Sequence, residues 1–228
     1  MEIINSIRVQ LNNLKTEKLK NFSSVITKCE HEMLGVSVPN LRKLAKQISK
    51  QNPNEFLKNN PMEFYEEILL QGFVIGYAKI SNSTKFELLK NFIPHIKDWS
   101  QCDCVIPTLS FFKTDLNYTY SFLEKYFNSE AEFEKRFAIV SFMDYFLVGE
   151  FFEKVLKMLI NVKSSFYYVN MAVAWALSVC FVKNFDLTYK HFKNCDLDKF
   201  TYNKTIQKCK ESFRITNEQK AVLNGLKK

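Results

Sequence analysis

The stretch "SFYYVNMAVAWALSVCFVKNFDLTYKHFKN" (residues 165–194) decides the fold class. Its most apolar run, "MAVAWALSVCFV" (171–182), is too short to cross a bilayer and is typical of a buried helix. Apolar residues recur at helical spacing, and no proline occurs anywhere in 108–228. The stretch therefore predicts a long buried helix over 165–183 followed by a shorter one over 185–194.

Helices of this kind recur in pairs along the chain. The first helices of the pairs begin near residues 61, 99, 131, 165 and 198, at intervals of 38, 32, 34 and 33 residues. Periods of this size are typical of helical-repeat solenoids of the HEAT or TPR kind. No residue motif is shared between the units, so the repeat is structural. The other predicted pairs are 61–79 with 83–97, 99–113 with 116–128, 131–148 with 151–162, and 198–212 with 216–227.

The sequence thus predicts an all-α fold, a curved solenoid of HEAT-like antiparallel helix pairs (an α-α superhelix). No linker divides the chain, so we expect one domain over 1–228. Residues 1–50 should add about three helices as an N-terminal cap. Within this cap, Gly35 is predicted to end one helix, and Ser37 and Pro39 to start the next.

The composition supports a helical protein of a reducing compartment. Gly and Pro number five each, which argues against a β-sandwich or a doubly wound α/β fold. The N-terminus has no secretory signal and the six cysteines include no C-x-x-C pair, so we expect free thiols in the cytoplasm, without membrane association. Cys102 lies on the apolar stripe of its helix and Cys104 does not. We therefore interpret this Cys-x-Cys as packing, and we expect neither a metal nor a cofactor.

The net charge suggests a polyanionic partner. The chain carries a formal charge of +8, and residues 199–228 supply a net +6 of it, from eight Lys or Arg and two acids. A basic surface of this kind fits nucleic acid, although many ordinary proteins are equally basic.

A small set of residues on the first helices could carry chemistry. Trp99 and Asp103 are four residues apart and share a helix face, and Pro107 is expected to bend that helix. Arg136 lies on the next first helix and Trp175 on the one after it. If the first helices line one face, these side chains meet in one groove. Taken singly, each has an ordinary alternative: core packing for a tryptophan, a surface ion pair for Asp103, a solvated or structural arginine.

Such a group suits a cationic reaction centre. Indole faces attract positive charge, and a carboxylate adds a full opposite charge and can orient a water molecule. An arginine can hold a phosphate. A deoxyribose that loses its base develops oxocarbenium character, which carboxylates stabilise. An alkylated, cationic base leaves as a neutral molecule, so no general acid is needed.

The sequence resembles the AlkD-like DNA alkylation repair glycosylases, which are built from HEAT-like repeats. The resemblance covers nearly the whole chain, and the YYVNMAVAW run and the W-x-x-x-D pair are its most distinctive parts. It is carried by "MLGVSVPNLRKLAK" (33–46), "LLQGFVIGYAK" (69–79), "WSQCDCV" (99–105), "EKRFAIVSFM" (134–143), "FYYVNMAVAWALSVCFVK" (166–183) and "NKTIQKCKESFRI" (203–215).

The resemblance implies a role for each of these residues. Trp99 and Trp175 match the tryptophans that bracket the deoxyribose of the lesion, and Asp103 matches the carboxylate that stabilises the sugar cation and positions water. Arg136 matches an arginine that contacts the DNA backbone near the lesion. The implied substrates are 7-methylguanine and 3-methyladenine lesions, excised without flipping the base into a pocket. The chain departs from the expected pattern in 23–33, which holds no tyrosine or phenylalanine.

The leading hypothesis is therefore a monomeric, metal-free DNA glycosylase of base-excision repair that acts on double-stranded DNA with alkylated purines. Asp103, Trp99 and Trp175 would be catalytic, and Arg136, Lys204, Lys208 and Arg214 would bind DNA. The alternative is a non-catalytic HEAT-repeat module that binds DNA or a protein partner. A purely structural solenoid gives no reason for Asp103 to accompany two tryptophans.

Overall fold

The computed structural model describes residues 2–27 and 29–228, which form fourteen α-helices, three short 3-10 helices and no β-strand. The all-α prediction is confirmed. The helices are α1 (Glu2–Leu14), α2 (Glu17–Thr27), α3 (Val38–Gln51), α4 (Pro53–Asn59), α5 (Tyr65–Tyr77), α6 (Asn82–Phe92), α7 (Trp99–Val105), α8 (Leu116–Phe127), α9 (Glu132–Tyr145), α10 (Phe151–Ile160), α11 (Tyr167–Lys183), α12 (Phe185–Phe192), α13 (Lys199–Glu211) and α14 (Asn217–Asn224).

The chain divides into two compact units, Met1–Asp115 and Leu116–Lys228. The division falls inside the predicted pair 99–113 with 116–128, and α8 packs on α9 in the second unit. The single-domain interpretation and the curvature of the solenoid stay predictions.

In the first unit, the helices that begin each pair stack on one another in chain order. Helix α5 packs on α3 and on α7, and α6 packs on α5 as its pair partner. All residues of α5 except Tyr77 are buried, because it lies in the middle of this stack. The core of the unit is aliphatic and aromatic, with Leu41, Phe73 and Phe92 fully buried.

The second unit repeats this arrangement. Helix α11 packs on both α9 and α13, while α10 and α12 pack behind it and α14 packs on α13. Aromatic rings fill much of the core: Phe192 stacks on Tyr202 with ring centroids 4.3 Å apart. Because α11 has neighbours on several sides, its apolar residues face almost every direction, as the run 171–182 predicts.

The N-terminal cap departs from the prediction at Gly35. Helix α2 ends at Thr27, so Gly35 does not end a helix. The buried carboxylate of Glu66 accepts hydrogen bonds from the backbone amides of Leu34, Gly35 and Val36, at 3.0, 2.8 and 3.1 Å. These amides are bound by a side chain from α5 rather than by helix carbonyls, and Gly35 adopts φ +95° in the turn they form.

The start of α3 is as predicted. The Ser37 side chain accepts a hydrogen bond from the amide of Asn40, and Pro39 lies in the first turn of the helix. The short helix α4 was not predicted. Helix α7 ends at Val105, before Pro107, and the chain continues as 3-10 helices over 106–108 and 110–114. The predicted bend at Pro107 stays a prediction.

Across residues 2–27 and 29–228, no helix combines the length and the hydropathy needed to span a membrane.

Candidate functional site

Helix α7 presents Trp99 and Asp103 on its outer side. Ser100, Gln101, Cys102 and Val105 are buried, whereas Trp99, Asp103 and Cys104 are half-buried. The spacing of four residues places the indole and the carboxylate one turn apart on the same face. The burial of Cys102 confirms that this cysteine belongs to the packed stripe.

The N-terminus of α7 is fixed by a buried hydrogen-bond chain. Asp98 is the N-cap residue and is 0% exposed; its carboxylate accepts from the Ser100 amide at 2.8 Å. The same carboxylate oxygen accepts a hydrogen bond from the Ser100 hydroxyl, which in turn contacts the Tyr65 hydroxyl of α5. Burial raises the pKa of Tyr65, so its hydroxyl stays protonated and can donate. The segment that carries Trp99 is therefore tied to the buried helix α5.

The other end of α7 is held by Arg42 of α3. Its guanidinium donates to the Cys104 carbonyl at 2.8 Å and to the Tyr77 hydroxyl at 3.2 Å, and it lies 4.8 Å from the centroid of the Phe73 ring. A cation at the C-terminal end of a helix also satisfies its carbonyls and matches its dipole. Both ends of the short helix are thus fixed by side chains from its neighbours.

The Trp99 side chain reaches α2. Its indole N–H donates to the Ile26 carbonyl at 3.3 Å, so this N–H is engaged with the protein. Phe22 and Val25 of the same helix are 62% and 75% exposed. Phe22 directly precedes the stretch 23–33, which has no tyrosine or phenylalanine.

The thiols near this helix are not activated. Burial raises the pKa of Cys104 above its ordinary value and that of Cys29 to about 11. A thiol must lose its proton to act as a nucleophile or metal ligand, and both remain protonated near neutral pH. In residues 2–27 and 29–228, no group of three or more His, Cys, Asp or Glu side chains could hold a metal ion.

In the second unit, Arg136 lies on α9 and Trp175 on α11. Arg136 is only 5% exposed, and its Nη1 donates to the Tyr168 carbonyl at 2.7 Å. Trp175 is half-buried, whereas its neighbours in 172–178 are buried. The half-buried Met171 and Val179, four residues on either side, share its face.

The predicted DNA-binding residues near the C-terminus lie at the surface. Lys204 and Lys208 are half-buried on α13, and Arg214 is exposed just after that helix. The Lys204 ammonium donates to the Gln207 side chain at 2.8 Å. These three basic residues of 199–228 thus lie on α13 and in the segment that follows it.

The sequence was also compared with known proteins. The model of the family described as "DNA alkylation repair enzyme" matches residues 7–194, which include α7, α9 and α11. The chain belongs to this family. Membership in the DNA alkylation repair enzyme family gives the protein a role in alkylation repair and implies a DNA substrate. No curated protein matches the chain.

Several residues that shape the site in this family member were not found from the sequence. Asp98 precedes Trp99 directly, and an aspartate just before a helix is a recognisable N-cap signal that could have identified it. Tyr65 and Arg42 contact α7 across 35 and 62 residues of sequence, and no local pattern marks them.

Proposed function

We propose that this chain is a DNA glycosylase that hydrolyses the N-glycosidic bond of alkylated, cationic purines such as 7-methylguanine and 3-methyladenine. Membership in the DNA alkylation repair enzyme family supports this proposal. The observation that carries it is the shared face of Trp99 and Asp103, half-buried on a helix whose inner side is fully packed.

The chemistry needs a carboxylate that substrate can reach. As the glycosidic bond lengthens, positive charge develops on the deoxyribose, and the Asp103 carboxylate stabilises it electrostatically. The same group orients a water molecule for attack on the anomeric carbon. The base takes the bonding electrons and leaves neutral, because it began as a cation.

The Trp99 indole contributes its ring rather than its N–H. Because the N–H is bonded to the Ile26 carbonyl, the indole orientation is fixed, and its face can meet a cationic sugar. Trp175 enters the proposal through the family resemblance, and Lys204, Lys208 and Arg214 enter it through their charge and surface position. This set of roles requires no cofactor.

The deciding experiment measures base release from duplex DNA that contains 7-methylguanine. Asp103→Asn keeps the size of the side chain but removes its charge, so we expect excision to fall about 10²- to 10³-fold while DNA affinity is retained. Glu87→Gln is the matched control, since Glu87 is an exposed carboxylate of the same unit that pairs with Lys90. This control should excise at the wild-type rate.

Two outcomes would overturn the proposal. Undiminished release by Asp103→Asn would remove Asp103 from the mechanism. The absence of release by the wild type, with DNA binding that weakens as salt rises, would identify a non-catalytic DNA-binding module instead.

A further inference from the structure

Helix α11 begins without a cap of its own. Its N-cap residue, Phe166, makes no side-chain hydrogen bond to the first turn, and the first turn contains no acidic residue. The first amides of any helix lack carbonyl partners within the helix and need other acceptors. The beginning of α11 therefore depends on groups from elsewhere in the fold.

Helix α9 supplies those groups. The carboxylate of Glu132 accepts from the Tyr168 amide at 2.7 Å, and the guanidinium of Arg136 donates to the Tyr168 carbonyl at 2.7 Å. Glu132 and Arg136 are four residues apart, so they project from one face of α9. The two backbone groups of one residue are thus held by two charged side chains, an arrangement we call the Tyr168 clamp.

Both hydrogen bonds of the Tyr168 clamp are charge-assisted. Each joins a charged side chain to a neutral backbone group at short distance, and Arg136 is 5% exposed. The Glu132 carboxylate also lies at the positive end of the α11 dipole, where negative charge is favourable. At 5% exposure, the Arg136 guanidinium offers little surface to a DNA phosphate.

The clamp acts on the helix face that carries Trp175. Tyr168 and Trp175 are seven residues apart, which is nearly two full turns, so they point in almost the same direction. Any rotation or tilt at Tyr168 is therefore transmitted along α11 to the indole. The Phe133 ring of α9, 5.5 Å from the Tyr168 ring, packs at the same point.

We propose that Glu132 and Arg136 are positioning residues that fix the rotation of α11 and thereby the orientation of the Trp175 indole. Arg136 then acts through the protein rather than as the DNA-backbone contact that the family resemblance implies. Only the effect on excision rests on the proposed function; the orientation of Trp175 does not.

The first test reads out Trp175 without DNA. The chain has two tryptophans, so Trp99→Phe leaves Trp175 as the single fluorescent indole. In this background, Glu132→Ala should shift the emission to longer wavelength and increase quenching by acrylamide, because the start of α11 loses its acceptor. Glu132→Gln should give a smaller change, since its amide oxygen still accepts a hydrogen bond.

Glu134→Ala is the matched control for this test. Glu134 lies on the same helix, but its carboxylate accepts a hydrogen bond from the Ser129 hydroxyl, at 2.7 Å, in the segment before α9. This control should leave the emission and quenching of Trp175 unchanged. Far-UV circular dichroism identifies variants that fail to fold. If Glu132→Ala does not fold, the comparison is made with Glu132→Gln instead.

The second test measures excision and DNA binding with Trp99 restored. Glu132→Ala and Arg136→Ala should both lower kcat for 7-methylguanine release and leave the salt dependence of DNA affinity unchanged. A phosphate contact by Arg136 would instead reduce the slope of log affinity against log salt by about 0.9 in Arg136→Ala alone.

The results separate the two proposals. Unchanged Trp175 emission and quenching in Glu132→Ala would overturn the positioning role, whatever the excision assay shows. A changed emission in a protein that releases no base would support the clamp while the glycosylase proposal fails.

Discussion

The close approach of α5 and α7 gives a sharp test of how the fold positions Trp99 and Asp103. A Cβ atom at Gly72 would lie 2.5 and 2.6 Å from the two γ carbons of Val105, and 3.0 Å from Cζ of Phe92. Carbon atoms in contact normally lie about 3.5–4.0 Å apart. Gly72→Ala therefore requires Val105, and with it α7, to move by about 1 Å.

The expected cost follows from two opposing effects. Alanine in place of glycine inside a helix stabilises the folded state by about 1 kcal/mol. Overpacking a filled core costs about 1–3 kcal/mol, and the upper part of that range applies because Val105 is fully buried and β-branched, with little rotamer freedom. We expect a net destabilisation of about 1–2 kcal/mol.

The same displacement should affect activity more than stability. Helix α7 carries Trp99 and Asp103, and a misplacement of about 1 Å at a reacting group can cost about 100-fold in rate. Gly72→Ala should therefore excise 7-methylguanine more slowly than the wild type under conditions in which both are fully folded.

Urea unfolding measures the stability change, and a double-mutant cycle isolates its cause. Val105→Ala removes both γ carbons that the new Cβ meets. The double mutant that combines Gly72→Ala and Val105→Ala should therefore lose less free energy of unfolding than the sum of the two single mutants, by about 1–2 kcal/mol. Gly225→Ala is the control, because its Cβ would meet only the Val222 carbonyl, at 3.4 Å.

A Gly72→Ala protein as stable as the wild type would refute this account of the helix contact. Strict additivity in the double mutant would also contradict it, since the steric conflict would then lie with atoms other than those of Val105.

Two further predictions concern buried groups. Asp98→Ala leaves the buried amide and hydroxyl of Ser100 without their acceptor, and we expect a loss of about 2–4 kcal/mol in the free energy of unfolding. Asp98→Asn keeps an acceptor oxygen and should lose less free energy of unfolding than Asp98→Ala. Equal losses for the two variants in urea unfolding would contradict the capping role. Stability should also fall in alkali, because burial raises the pKa of Cys29 to about 11 and those of Cys180 and Cys209 to about 12, from 9.0. The folded protein holds these thiol protons more tightly than the unfolded chain, so its stability is full below pH 9 and declines as the pH rises through 9 towards 12. Urea midpoints measured from pH 8 to 11 test this, and a flat profile would exclude it.

The helical class and the position of most helices could be predicted from the sequence, and so could the shared face of Trp99 and Asp103. These features depend on the spacing of residues within one helix, and that spacing is read directly along the chain. The error at Gly35 has a clear physical cause. Glycine commonly ends helices, but here the turn is made by Glu66, which lies about thirty residues away.

The sequence by itself determined which residues share a helix face, that Cys102 packs inside and where the basic charge accumulates. Only the tertiary structure decided that Glu132 and Arg136 hold the two backbone groups of Tyr168, that Asp98 connects through Ser100 to Tyr65, and that Arg136 is buried. The physical reason is that these bonds depend on the register in which neighbouring helices pack. Helices of the same periodicity can pack in several registers, and side-chain shape across the contact selects one of them.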